Sequence, residues 1–115
     1  MTLFHAAKAD RNGNVWIGLR RELMTMSHAS AKAYATVEEI VDDDLLEDPE
    51  VAAGTIPGLY VTGVAPAERG AWPLGVPHLY ERDAEHLAQY AEMAKSQQGF
   101  DAYTDRWVFR KAAAE

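Results

Sequence analysis

Thr55–Pro77 carries four of the chain's five prolines and four of its eight glycines, and that punctuation limits the fold more than any other feature of the sequence. Proline fixes φ and removes a backbone donor. Across Pro66–Pro77, where Pro66, Pro73, Pro77, Gly70 and Gly75 fall, no regular element can run. The segment reads as one long shaped loop, and such loops in compact domains are often functional. Just before it, Ile56-Pro57-Gly58 introduces Leu59-Tyr60-Val61-Thr62-Gly63-Val64, which reads as a strand over Gly58–Ala65.

The remaining signals alternate between strand and helix, which argues α/β. Leu3–Ala7 and Val15–Gly18 are short apolar runs separated by Asp10-Arg11-Asn12-Gly13-Asn14, where Asn12-Gly13 supplies the φ > 0 residues of a tight turn. Thr25 is expected to cap a short Ala-rich helix running through His28 to about Lys32, with Met26, Ala29 and Ala33 on one face. Ala35–Val41 has the β-branching of a strand and leads into an acidic loop ended by Pro49 and Gly54. Asp83 is placed to cap a helix carrying Ala84, Leu87, Tyr90, Ala91 and Ala94 at helical spacing, with Gly99 as its stop. A second short helix then carries Phe100, Tyr103, Trp107 and Val108. Leu87, Tyr90, Phe100, Tyr103 and Trp107 are assigned to the core. That aromatic face packs within the chain or against a missing neighbouring domain.

Composition excludes several function classes. With no cysteine there is no disulfide, thiolate nucleophile or Cys-based metal site, which fits a reducing, cytoplasmic setting. No window reaches the roughly 18 apolar residues of a membrane span, and Met1–Ala9 contains His5 and Lys8 rather than a signal-peptide core. The net charge of −7 is local: Glu38–Glu50 holds eight of the eighteen acids and no base, leaving ten acids elsewhere against eleven Lys and Arg. The run is a solvated loop or exposed helix face, or else a site for a cation or basic partner. The bases are scattered, without the stripe a nucleic acid needs, so nucleic-acid binding is disfavoured.

Standard catalytic signatures are missing. His5, His28, His78 and His86 are spaced too irregularly for a metal motif and read as structural or surface residues. Ser27, Ser30 and Ser96 lack a nucleophile elbow, and no Gly-x-Gly-x-x-Gly or Walker-type loop is present to cradle phosphate.

Four phrases in order carry a resemblance: Ala9-Asp10-Arg11-Asn12-Gly13-Asn14-Val15, Thr36-Val37-Glu38-Glu39-Ile40-Val41, Ile56-Pro57-Gly58-Leu59-Tyr60-Val61 and Arg69-Gly70-Ala71-Trp72-Pro73. Together with Tyr90, Phe100-Asp101-Ala102-Tyr103 and Trp107-Val108, they resemble the C-terminal part of the A (alpha-type) subunit of two-subunit, glutaconate-type CoA-transferases. The resemblance implies a three-layer open-sheet α/β fold, shared with ribose-5-phosphate isomerases, of which residues 1–110 form a partial domain and 111–115 a frayed tail. It further implies that the partner is a B-type subunit, that the substrates are acyl-CoA and a carboxylic acid, and that coenzyme A thioester is the only cofactor-like molecule, with nothing bound permanently. In that family a glutamate on the B subunit's chain attacks the acyl-CoA and becomes a glutamyl-CoA thioester, while the A-type chain adds a Gly-rich loop from its N-terminal half. Neither segment is in this chain, so the resemblance implies an incomplete piece that is inactive alone and needs the missing N-terminal A-subunit segment. A sibling that hydrolyses a CoA thioester or opens a ring, and a non-catalytic assembly module, remain the alternatives.

No residue here is assigned to catalysis or to a metal; Glu68 is not taken as the nucleophile. Arg69, Gly70, Ala71, Trp72 and Pro73 are the candidate loop beside the acyl-CoA pocket or the subunit interface. Small residues there allow close backbone approach and Trp72 offers an apolar face, against the plainer reading of a loop that closes the sheet edge with Trp72 in the core. Arg69 can pair with a carboxylate substrate or CoA phosphates, or form an ordinary surface ion pair. Asn12, Gly13 and Asn14 fix a turn, with a substrate-side role as the alternative. Glu38 or Glu39 can orient a loop by accepting backbone N–H groups, or simply end a strand in solvent.

Overall fold

The computed structural model describes residues 1–111, so the tail expected at the C-terminus lies outside the described residues from position 112 onward. The chain forms two compact units. The first comprises Met1–Ala71 and Val76–Leu79; the second comprises Trp72–Gly75 and the described residues from Tyr80 onward.

The first unit is built on a five-stranded sheet of order β4-β2-β1-β3-β5. Its strands are β1 (Thr2–Asp10), β2 (Val15–Trp16), β3 (Ala33–Val41), β4 (Thr55–Ile56) and β5 (Gly63–Pro66). β1, β3 and β5 run parallel, and β2 and β4 add antiparallel to the other side. Side chains of β3 alternate as a half-buried strand requires: Ala33, Ala35 and Val37 are buried, while Tyr34, Thr36 and Glu38 take the opposite face. The register pairs Phe4 with Ala35, His5 with Thr36 and Ala6 with Val37.

The core lies on the Ala35 and Val37 side, where Val15, Val37 and Ile56 are fully buried. The helix α1 (Arg21–Ala29) covers it with Leu23, while Ser27 satisfies its hydroxyl on the Leu23 carbonyl at 2.8 Å. Ala6, Ala9 and Ala35 share this core with Val15, Ile17, Leu23, Val37 and Ile56. Thr2 Oγ1 donates to the Met26 carbonyl at 3.1 Å and ties the end of α1 to the start of β1.

α1 starts before Thr25, which lies inside it and makes no cap, and it ends before Ala33, which is already in β3. The Leu23/Ser27 pair, four residues apart, is the buried stripe; the Ala spacing was misleading because alanine fits either a helix or a small-residue strand. The acidic run is also partly helical, since Asp48 accepts the Glu50 N–H at 3.0 Å and Pro49 opens α2 (Pro49–Ala52). The single strand expected at Gly58–Ala65 is instead a 3₁₀ turn, Gly58–Tyr60, followed by β5.

The second unit contains α3 (Ala84–Met93) and α4 (Gln97–Trp107). Asp83 caps α3 by accepting the His86 N–H at 2.9 Å, as its place in the sequence suggests. Gly99 does not stop α3; it lies in the first turn of α4, where Ser96 Oγ accepts its N–H at 3.1 Å. Tyr103 is buried as expected, but the buried residue of α3 is His86, while Tyr90 and Phe100 are exposed. Burial follows the hydrogen-bonded aromatic cluster here rather than the apolar spacing. Among the described residues no helix is long and apolar enough to cross a membrane.

Candidate functional site

In open α/β sheets, ligands bind beyond the carboxyl ends of the parallel strands. Here those ends are Asp10, Val41 and Pro66, and they lead into the Arg11–Asn14 turn, the acidic run and the Pro/Gly-rich loop. Two of these connections are braced by one carboxylate. Asp10 is 3% exposed, and its Oδ1 accepts the N–H groups of Asn12 at 2.8 Å and Asn14 at 3.1 Å. Its Oδ2 accepts Asn14 Nδ2 at 2.8 Å and the Leu45 N–H at 2.9 Å. Burial alone would raise the Asp10 pKa; the bonds from Leu45, Asn14 and Asn12 outweigh it and hold the carboxyl below its ordinary value.

Asn14 passes the brace on, because its Oδ1 accepts the Gly58 N–H at 2.7 Å. Gly13 has φ of 82° and its N–H bonds to the Asp10 carbonyl at 3.2 Å, which makes a three-residue hairpin loop whose left-handed position is Gly13 alone. Asn12 does not share that conformation; its side chain reaches Asp44 at 3.5 Å on the surface. Asp42 pairs with Arg11, and Asp44 accepts the Leu46 N–H at 2.9 Å, so local structure engages these acids of the run. Among the described residues no group of three or more carboxylates or imidazoles is arranged to hold a metal ion.

Beyond β5 the backbone turns at Arg69, which has φ of 53°. Glu38 Oε2 accepts the Arg69 N–H at 2.7 Å, and Glu38 Oε1 meets His5 Nε2 at 2.7 Å. His5 Nδ1 in turn meets Thr36 Oγ1 at 2.8 Å. Gly70 donates its N–H to the Ala67 carbonyl at 2.9 Å and lies against the His5 ring: a Cβ on Gly70 would stand 2.6 Å from His5 Cε1. The same sheet face carries an open groove of about 560 Å³, lined by Leu3, Tyr34, Thr36, Gly63 and Ala65 among others.

Trp72 and Pro73 belong to the second unit and are joined by a cis peptide bond. Trp72 Nε1 donates to Asp83 Oδ2 at 3.2 Å, and the ring stands 4.2 Å from His86 and 5.5 Å from Trp107, centre to centre. His86, 6% exposed, bonds through Nε2 to the Tyr103 hydroxyl at 2.7 Å. Trp107 Nε1 is buried without a hydrogen-bond partner among the described residues, so Trp107 contributes through its ring.

The five-residue loop is therefore divided: Arg69, Gly70 and Ala71 fall in the first unit, Trp72 and Pro73 in the second. The loop-orienting alternative for Glu38 is the one the geometry realises, and Glu39 remains exposed. His5, expected as a structural or surface histidine, is bonded to Thr36 and Glu38, partners that its place in the sequence does not name. Its two-residue offset from Ala7 on one strand and the Thr36/Glu38 alternation on the other hint at a shared face, but only the register joins them.

No protein-family model matches the chain. The A-type chain of glutaconate CoA-transferase from Acidaminococcus fermentans is 33% identical over 111 residues, covering 95% of this chain and 34% of that one. The A-type chain of 3-oxoadipate CoA-transferase from Pseudomonas knackmussii is 32% identical over 112 residues, covering 94% of this chain and 38% of that one. The crystal structure of glutaconate coenzyme A-transferase from A. fermentans superposes with a TM-score of 0.84 at 30% identity, over 95% of this chain and 35% of that chain. A variant of the decarboxylase AibA/AibB superposes with a TM-score of 0.77 at 31% identity, over 94% and 38% of the two chains. The chain thus spans 34% and 38% of the length of these two curated relatives.

Proposed function

The chain is homologous to the C-terminal part of glutaconate-type CoA-transferase A subunits, and from that premise we propose that it acts as a segment of one, moving CoA between carboxylic acids together with a B-type partner. The observation that carries the reading is the similarity to two CoA-transferase A subunits over nearly the whole chain, joined to a superposition at a TM-score of 0.84.

The chemistry proposed is covalent catalysis by a carboxylate of the partner. A glutamate oxygen adds to the thioester carbonyl of acyl-CoA, and CoA leaves as the thiolate, giving an acyl anhydride. The thiolate then attacks the glutamyl carbonyl, which releases the acyl group as a carboxylate and leaves a glutamyl-CoA thioester. The acceptor carboxylate runs the two steps in reverse. Each tetrahedral intermediate needs hydrogen-bond donors for its oxyanion. This chain's proposed share is binding: residues 69–73 border the acyl-CoA, and the Asp10 brace keeps the neighbouring carboxyl-edge loops in shape.

The test is reconstitution. The chain alone should show no acyl-CoA:carboxylate exchange, and exchange should appear when it is combined with an N-terminal A-subunit segment and a B-type partner chain. Failure of the chain to bind either piece would overturn the reading.

A second chemistry is carried by one solved relative, a variant of the decarboxylase AibA/AibB that superposes with a TM-score of 0.77 at 31% identity. A scaffold does not choose a reaction. Release of CO₂, or of free CoA and free acid without an acceptor, from the reconstituted assembly would identify a sibling activity instead of transfer.

A further inference from the structure

On the reading that residues 69–73 border the acyl-CoA, we propose that Glu38 and His5 are positioning residues for substrate binding, a pair that sets the backbone of Arg69–Ala71 from beneath. The two oxygens of Glu38 are committed in different directions, one to the Arg69 N–H at 2.7 Å and the other to His5 Nε2 at 2.7 Å. The carboxylate cannot rotate without losing one of them. His5 is held in turn at its second nitrogen by Thr36 Oγ1, its partner across the parallel β1/β3 register. The two side chains are 13% and 11% exposed, and the bond between them is partly shielded from water, while the bonds to Arg69 and Thr36 lie at the surface.

The loop is fitted to this pair. Arg69 adopts a left-handed backbone, which is strained for a non-glycine residue, and its N–H in that conformation is bonded to Glu38. Gly70 follows with no side chain where a Cβ would stand 2.6 Å from His5 Cε1 and 2.8 Å from the Ala67 carbonyl. A loop that only closed a sheet edge would need neither the carboxylate on its amide nor the imidazole against its glycine.

The experiment has two arms. Hydrogen exchange of the Arg69 amide, followed in the chain itself, reports the geometry; KM for acyl-CoA and kcat in the reconstituted A/B assembly report the role. Glu38→Ala should accelerate Arg69 exchange roughly tenfold or more and raise KM about tenfold, with kcat within about threefold. Glu38→Gln, which keeps an oxygen for the Arg69 N–H, should restore both. Gly70→Ala, which leaves the carboxylate in place but displaces the loop from the His5 ring, should reproduce the rise in KM. Unchanged KM in variants whose Arg69 amide has lost protection would make the pair merely structural and overturn the proposal. So would an Arg69 amide indifferent to Glu38→Ala. A wild-type assembly without CoA exchange would instead sink the proposed function, while the amide measurement would still report on the geometry.

Discussion

The Asp10 carboxylate accepts the Leu45 N–H at 2.9 Å across thirty-five residues of sequence, so the hairpin turn after β1 and the acidic run after β3 share one buried anion. This bond works with three others, from the Asn12 and Asn14 N–H groups and Asn14 Nδ2. Asp10→Ala leaves these donors without their common acceptor. We expect a loss of about 2–3 kcal/mol in urea unfolding, with the Leu45 amide losing exchange protection. A loss within about 0.5 kcal/mol, the range of an ordinary surface substitution, would count against the brace.

The same carboxylate makes acid stability predictable in sign. Its folded pKa lies below the ordinary 3.8, so as pH falls the unfolded chain takes up the proton first. The Asp10 contribution is therefore complete above about pH 5 and is lost as pH drops through 3.8 toward the folded value. In a pH series of urea midpoints, Asp10→Asn should show a shallower acid decline than the wild type. Parallel declines would contradict the depressed pKa.

Gly13 holds φ of 82° at the left-handed position of the hairpin loop. Gly13→Ala should cost about 1 kcal/mol from backbone strain alone, since open space surrounds the site apart from Gly58 Cα at 3.9 Å. Gly13→Asn, which tolerates that conformation better, should recover part of it; equal melting temperatures for the three proteins would refute this account.

In the second unit, Tyr103→Phe removes the hydroxyl bonded to His86 Nε2 at 2.7 Å and leaves a buried imidazole nitrogen without that partner. A stability loss of about 1–2 kcal/mol is expected, with the ring packing between residues 90 and 103 kept. A neutral result would mean that water replaces the hydroxyl.

Structure that depends on neighbours in sequence is legible in the sequence. The apolar runs Leu3–Ala7 and Ala35–Val41 lie within β1 and β3, Asp83 caps α3, and the proline-dense segment after β5 carries no helix or long strand. Errors cluster where alanine or glycine dominates. Thr25 and the Ala spacing placed α1 too late, and Gly99 looked like a stop when it is the residue whose N–H meets the Ser96 cap. These residues carry little directional information: alanine serves either element, and glycine serves helix starts and ends when the backbone must come close.

By itself the sequence determined the α/β class, the strand-forming runs of β1 and β3, the Gly13 turn, the Asp83 cap and, through ordered phrases, the likeness to CoA-transferase A subunits. The structural features among these rest on propensities or patterns within a few residues, and the likeness rests on short phrases whose order runs along nearly the whole chain. Only the tertiary structure decided that Asp10 would serve Leu45, that Asn14 would hold Gly58, and that His5, Thr36 and Glu38 would meet beneath Arg69. Those bonds join residues 31 to 44 positions apart. Strand register and loop closure bring such residues together, and a one-residue slip in β1 against β3 would turn His5 to the opposite face.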